Sequence, residues 1–233
     1  MKLRIAIDGA CRRNGKEDCV ASGGVFIMLY NDMGTLLGTM TKSGYELRST
    51  NQRGELLALK LALSYIDNSI QVIDDWLGAV QIITDSEYIY NAMTKEWFVG
   101  WESRDWRTAS NDVVKNSDLW KDIQHLYESC KAKGVDIVFY HIKGHCIPFG
   151  KVTANTLLSK DTSGELLKDE VDKKYDSVAT TTKKEVLMKA NELSLKNNGF
   201  RLEPEFLKEF VVMNTVVDAI ATRCVDAADA LMD

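Results

Sequence analysis

The sequence predicts an α/β fold, a five-stranded mixed sheet flanked by helices with a helical extension at its C-terminal end. Three observations predict it. Short apolar runs bounded by turn residues alternate with helical periodicity in the order βββαβαβ, followed by more helix. Two aspartates, Asp8 and Asp85, directly follow runs apolar enough to be interior strands. Past Gly150 the texture changes to polar and then helical, with all five tryptophans at or before Trp120, which sets a boundary near 150–180. The resulting division is a main domain over 1–180 and a helical extension over 181–233.

Residues 3–7 (LRIAI), 23–30 (GGVFIMLY) and 35–41 (TLLGTMT) read as strands, the last two joined as a hairpin through Asn31-Asp32-Met33-Gly34. Residues 51–67 carry apolar side chains at helical spacing behind Ser49-x-x-Gln52, a pattern resembling a capping box. A fourth strand follows at 79–85, a short helix at 86–94, a longer helix at 117–134 ended by Gly134, and a fifth strand at 135–142. Residues 183–198 read as one helix stopped by Asn197-Asn198-Gly199, and a second begins at Pro204. On that last helix Phe206, Phe210, Met213, Val217, Ile220, Cys224, Ala227 and Leu231 form a stripe suited to burial. Packing onto the main domain is the preferred reading, ahead of an intermolecular seam.

Composition narrows the function classes. Hydrophobic residues make up 45% and charged residues 27% of 233, values ordinary for a globular chain. A formal charge of −5 excludes a chain-wide basic field for gripping nucleic acid, so any such grip is local. Cys11, Cys19, Cys130, Cys146 and Cys224 are scattered and contain no CxxC pair, which fits a reducing compartment better than a disulfide framework. Asp8 interrupts any signal-peptide core and no run approaches the ~20 apolar residues of a membrane span, so a cytoplasmic protein without a membrane partner is expected.

The carboxylates carry the chemistry. If the strands ending at Asp8 and Asp85 are parallel neighbours, both acids stand side by side at the carboxyl edge of the sheet. Singly, Asp85 could also cap the following helix, and Asp8-Gly9 could form a turn. Glu55 shares a helical face with Leu59, Ala62 and Ile66, where a carboxylate is costly unless paired or bound to a metal. Three converging acids raise one another's pKa values; a divalent cation removes the conflict, and oxygen-only ligands select Mg²⁺ or Mn²⁺. Zinc has a weak claim through Cys11, Cys19, His145 and Cys146, whose spacing matches no usual pattern.

Asp8-Gly9-Ala10, Ser-Thr-Asn-Gln-Arg-Gly-Glu (49–55) and Thr-Asp-Ser (84–86) resemble the three signature blocks of type 1 ribonuclease H, in the same order. Trp101, WRT (106–108), VKNSDLW (114–120) and HIKGH (141–145) resemble that family's substrate handle and mobile histidine. The resemblance covers roughly residues 1–180. It implies the ribonuclease H-like fold and metal-dependent endonucleolytic cleavage of the RNA strand of RNA/DNA hybrids.

By that resemblance Asp8, Glu55 and Asp85 are metal ligands, His145 assists catalysis, and a fourth Asp begins the helix after the histidine. The family's last block reads Asp, any residue, Leu or Val, Ala; Asp176-Ser177-Val178-Ala179 fits it, with Asp172 as runner-up. Two Mg²⁺ ions, with Mn²⁺ as substitute, would activate water and relieve charge on the leaving oxygen, giving a 5′-phosphate and a 3′-hydroxyl. Cys11, Asn14, Asn51 and Gln52 are suited to reading the 2′-hydroxyl. Trp101 and Trp106 are suited to stacking on the DNA strand or to a place in the core, and Arg104, Arg107, Lys115 and Asn116 to phosphate contacts. Departures from the family are Glu87 after Asp-Ser and a handle over 95–121 whose five basic residues are matched by five acidic ones. The rival readings are a binding module that has lost cleavage and a DNA nuclease, which usually begins with Asp-x-Glu where this chain has Asp8-Gly9-Ala10. On this reading the chemistry is complete by about residue 180.

Overall fold

A computed structural model of the chain describes residues 1–69, 79–147, 149–198 and 202–232. Its elements are β1 (Lys2–Arg12), β2 (Val20–Tyr30), β3 (Leu36–Leu47), α1 (Asn51–Ser69), β4 (Ala79–Thr84), α2 (Glu87–Thr94), α3 (Trp97–Glu102), α4 (Ser117–Ala132), β5 (Asp136–His141), α5 (Lys151–Lys160), α6 (Glu165–Ser177), α7 (Thr180–Asn198) and α8 (Pro204–Asp229). Among the described residues no helix is long and apolar enough to cross a membrane. Gly199, the expected stop of α7, lies outside them.

The five strands form one sheet in the order β3-β2-β1-β4-β5. β1 pairs antiparallel with β2 and β2 with β3, while β4 runs parallel to both β1 and β5, so the sheet is mixed and β1 is central. Side-chain alternation along β1 sorts the two faces. Leu3, Ile5 and Ile7 join a core with Leu56, Leu59 and Leu63 of α1 and Trp120 and Ile123 of α4. Ala6 joins the opposite core, built on Phe26 and Met28 of β2 and Phe210, Met213 and Val217 of α8. The α1 cap is Thr50, whose Oγ1 accepts from Arg53 N at 3.3 Å; the expected cap, Ser49, donates instead to Glu46.

The division at residue 180 does not separate two bodies. α8 lies directly on β1 and β2: the hydroxyl of Ser22 donates to the carbonyl of Ala221 at 2.7 Å, and Arg4 of β1 pairs with Glu209 at 2.5 Å. Its residues Phe210 to Val217 are buried on all sides, because the sheet covers one face and α5 to α7 pack around the others. A stripe of every third or fourth residue understates that burial, and the intermolecular seam loses its apolar face to this chain's own sheet. The segment between β5 and α8 is therefore an insertion of three helices, with the last helix of the sheet layer following it.

Truncating a large buried aromatic costs about 3–5 kcal/mol. Phe210→Ala should lower the urea-unfolding free energy by that amount, and deleting residues 200–233 should leave no cooperatively folded protein. A truncated chain with a sharp unfolding transition near that of the intact one would contradict the place of α8 in the core of the second sheet face.

Candidate active site

Asp8 lies within β1, which runs on to Arg12, on the same face as Ala6, and its cross-strand partner on β2 is Gly24. Two glycines let two helices close on this point. A Cβ at Gly9 would lie 2.4 Å from the backbone nitrogen of Glu55, so α1 touches β1 beside Asp8 only because no side chain intervenes. A Cβ at Gly24 would lie 2.8 Å from the nitrogen of Ala221, so α8 likewise approaches closely on the other face. β4 runs parallel to β1 in register Ile7↔Thr84, so Asp85 follows the pair at the carboxyl edge.

The three expected carboxylates converge. One oxygen from each of Asp8, Glu55 and Asp85 lies within 4.8 Å of the others. Asp8 is 5% and Glu55 9% exposed, and Glu55 Oε2 is buried with no hydrogen-bond partner among the described residues. Burial, then the charges of Asp85, Glu55 and Asp218, push the Asp8 carboxyl well above the usual carboxylate range. Burial and Asp85 push Glu55 up to about 8, and burial raises Asp85 despite the opposing pull of Asn214 and His145. An unpartnered buried oxygen amid like charges, with oxygen the only donor type, is the donor set a hard divalent cation satisfies.

Asp176, expected as the fourth ligand, does not join the three acids. That residue is at the end of α6, its side chain 63% exposed, and Lys208 Nζ lies 3.0 Å from its carboxylate and holds its pKa down. Asp172 is likewise committed to Lys168, at 2.7 Å. The carboxylate that faces the cluster is Asp218 of α8, raised mainly by burial and by Asp85. One turn earlier, Asn214 Nδ2 donates to Asp85 Oδ2 at 3.5 Å. Asp218 carries a local spelling that does not by itself single it out: Asp218-Ala219-Ile220-Ala221 repeats the Asp, any residue, aliphatic, Ala pattern with Ile in the third place. The helical insertion hides it by placing a better-spelled copy nearer to His145. That histidine is on the loop after β5, its side chain 76% exposed, with Nδ1 3.6 Å from Asp218 Oδ2.

Around the acids the other expected residues divide. Asn14 Oδ1 accepts from Asn51 N at 3.3 Å and faces Cys11 Sγ at 3.8 Å, which joins the β1–β2 turn to the start of α1; Gln52 is exposed in that first turn. Trp101 is half-buried among Trp97, Trp106 and Trp120, with ring centroids 5.5–6.2 Å apart, so its indole packs mainly on protein. Lys121 lies over the half-buried Trp106 at 5.4 Å. Arg104 donates to the carbonyl of Arg107, and Arg107 to that of Asn111, both on the exposed turn between α3 and α4. Lys115 is exposed, and Asn116 caps α4 with a left-handed backbone. Cys11 and Cys19 lie on the β1–β2 hairpin, with Sγ atoms 2.6 Å apart, and neither belongs to the acidic cluster.

The sequence profile of the RNase H family matches residues 2–161. A ribonuclease H of Alcanivorax borkumensis is 33% identical over 156 residues, 67% of this chain and 88% of that protein. One from Rickettsia canadensis is 31% identical over 172 residues, 73% of this chain and 96% of the relative. In fold, the chain is similar to the crystal structure of LC9-RNase H1, described as a type 1 RNase H with the type 2 active-site motif. That likeness has a TM-score of 0.50 at 22% identity, covering 62% of this chain and 64% of that one, just under two thirds of its length.

The raised acids tie stability to pH. Glu55 has its native pKa near 8 against an ordinary 4.5, so between those values the metal-free native state binds more protons than the unfolded chain. Stability from this group is present below about pH 4.5 and is lost as pH rises through 8. In chelator, the melting temperature of the unaltered protein relative to Glu55→Gln should fall by about 5 °C or more from pH 5 to pH 8. Saturating Mg²⁺ should remove the fall, and a flat difference in chelator would contradict the raised carboxylates.

Proposed function

Since the chain belongs to the RNase H family and is a ribonuclease H by its relatives, we propose that it cleaves the RNA strand of RNA/DNA hybrids with divalent cations held by Asp8, Glu55, Asp85 and Asp218. The observation that carries this reading is the convergence of Asp8, Glu55 and Asp85, with Glu55 Oε2 unpartnered and a fourth carboxylate on α8 facing them. Two Mg²⁺ ions, or Mn²⁺ in their place, supply water activation and charge relief on the leaving oxygen when bound. The products are then a 5′-phosphate and a 3′-hydroxyl.

The chain's own residues do the rest. Asp8, deepest of the four and on the central strand, would hold a cation together with Glu55 and Asp85. Asn214 orients Asp85 through its amide, and being neutral it adds no charge to the cluster. His145, exposed and facing Asp218, can carry a proton between the site and solvent. The joined turn of Cys11, Asn14, Asn51 and Gln52 flanks the acids and offers polar groups for a 2′-hydroxyl. Arg104, Arg107, Lys115 and Asn116 form the handle's phosphate contacts. The handle's acids limit that grip, since hybrid affinity rests largely on counterion release.

Labelled RNA/DNA hybrid, duplex DNA and duplex RNA, each incubated with Mg²⁺, Mn²⁺ or excess chelator, test the reading. Only the hybrid should be cut, on its RNA strand and only with metal. Asp85→Asn and Asp218→Asn should each reduce cleavage at least about 100-fold, the scale expected when charge stabilisation in the transition state is removed. Asp176→Asn should retain activity within about threefold, as expected for a surface carboxylate paired with a lysine. Full activity of Asp218→Asn, or a larger loss in Asp176→Asn, would return the fourth ligand to α6.

A further inference from the structure

The helical insertion between β5 and α8 ends against the metal site's frame. The α7 residue Asn197 donates from its side-chain Nδ2 to Nδ1 of His141, and its carbonyl accepts from Tyr90 Oη at 2.5 Å. His141 is the last residue of β5, 5% exposed, paired across the ladder with Thr84 and stacked on the Tyr90 ring at 5.5 Å. With Nδ1 occupied as an acceptor, the imidazole carries its proton on Nε2, which donates to the main-chain carbonyl of Asp85 at 3.1 Å. Three elements thus converge on the peptide that bears one of the site's carboxylates. The contact is to the main chain of Asp85, while Asn214 holds its side chain from α8.

We propose that His141 and Asn197 are positioning residues for Asp85, through which the end of the insertion fixes the carboxylate's backbone and so sets the affinity of the site for a divalent cation. Groups that orient a ligand from behind change metal affinity by about 10–100-fold. The imidazole suits the task because its two nitrogens point in different directions and can join Asn197 to Asp85. The inference rests on reading Asp85 as a metal ligand.

The experiment is calorimetric titration of the full chain with Mn²⁺ alone, alongside the Mg²⁺ dependence of hybrid cleavage. His141→Gln can place an amide nitrogen near the Nε2 position and keep the bond to Asp85, whereas the shorter His141→Asn cannot reach. His141→Asn should weaken Mn²⁺ binding about tenfold or more and raise the Mg²⁺ needed for half-maximal activity by a similar factor, with kcat at saturating metal within about threefold. His141→Gln should restore binding to within about threefold of the unaltered protein. Asn197→Ala, which removes only a half-buried amide at a helix end, should weaken Mn²⁺ binding severalfold, so the test survives if a His141 variant does not fold. Unaltered Mn²⁺ affinity in folded His141→Asn or in Asn197→Ala, or equal losses in the Gln and Asn variants, would overturn the positioning role. If Asp85→Asn binds Mn²⁺ like the unaltered protein, the ligand reading itself fails, an outcome distinct from the others.

Discussion

Keeping Asp8, Glu55 and Asp85 together inside the protein is the constraint on which the rest of the structure turns. Like charges at this spacing, out of water, are unstable in isolation, and the raised pKa values are the measure of that conflict. The fold meets the constraint by rigidity. Asp8 ends the apolar core of the central strand, Asp85 follows its parallel neighbour, and Glu55 comes from a helix held at backbone contact by Gly9. The backbone of each is held by a packed element, so the repulsion remains available to be relieved by a cation.

The same device is repeated on the opposite face of the sheet. Gly24, the cross-strand partner of Asp8, admits α8 as Gly9 admits α1, and α8 brings Asn214 and Asp218 to the acids from that side. Stability and chemistry therefore share one helix. Its buried residues hold the second core together, and its polar residues Asn214 and Asp218 face Asp85, which is why a three-helix insertion can precede it without displacing it. The insertion packs around α8 and returns to the frame of the site through Asn197 and His141.

Charge on the surface follows a different logic. Much of the basic surface is already paired within the chain: Arg53 with Glu46 and Asp118, Arg12 and Lys151 with Asp226, Arg13 with Asp18 and Asp229. Exposed pairs of this kind contribute little to stability. Their larger effect is to reduce the positive charge offered to a polyanion, in line with the net charge of −5. Recognition then falls to polar groups and local geometry near the acids more than to a basic field.

The succession of strands and helices along the chain and the buried face that carries Glu55 were legible in the sequence, because each depends on local periodicity; the meeting of Asp8 with Asp85 was conditional on their strands being parallel neighbours, which the sheet supplies. His145 was legible only through the resemblance, since an exposed loop histidine has no local pattern. The fourth acid was not legible. Asp176 and Asp218 carry similar local spelling, and nothing local separates a carboxylate on a surface helix beside Lys208 from one on a helix crossing the central strands. The spacing of α8's apolar residues likewise suggested one buried stripe, while its envelopment came from the sheet on one side and the insertion on the other. Periodicity reports that a face is buried, but which element covers it is set by long-range packing; only the tertiary structure decided that the last helix lies on the central strands and that its aspartate, far along the chain from His145, faces the other acids.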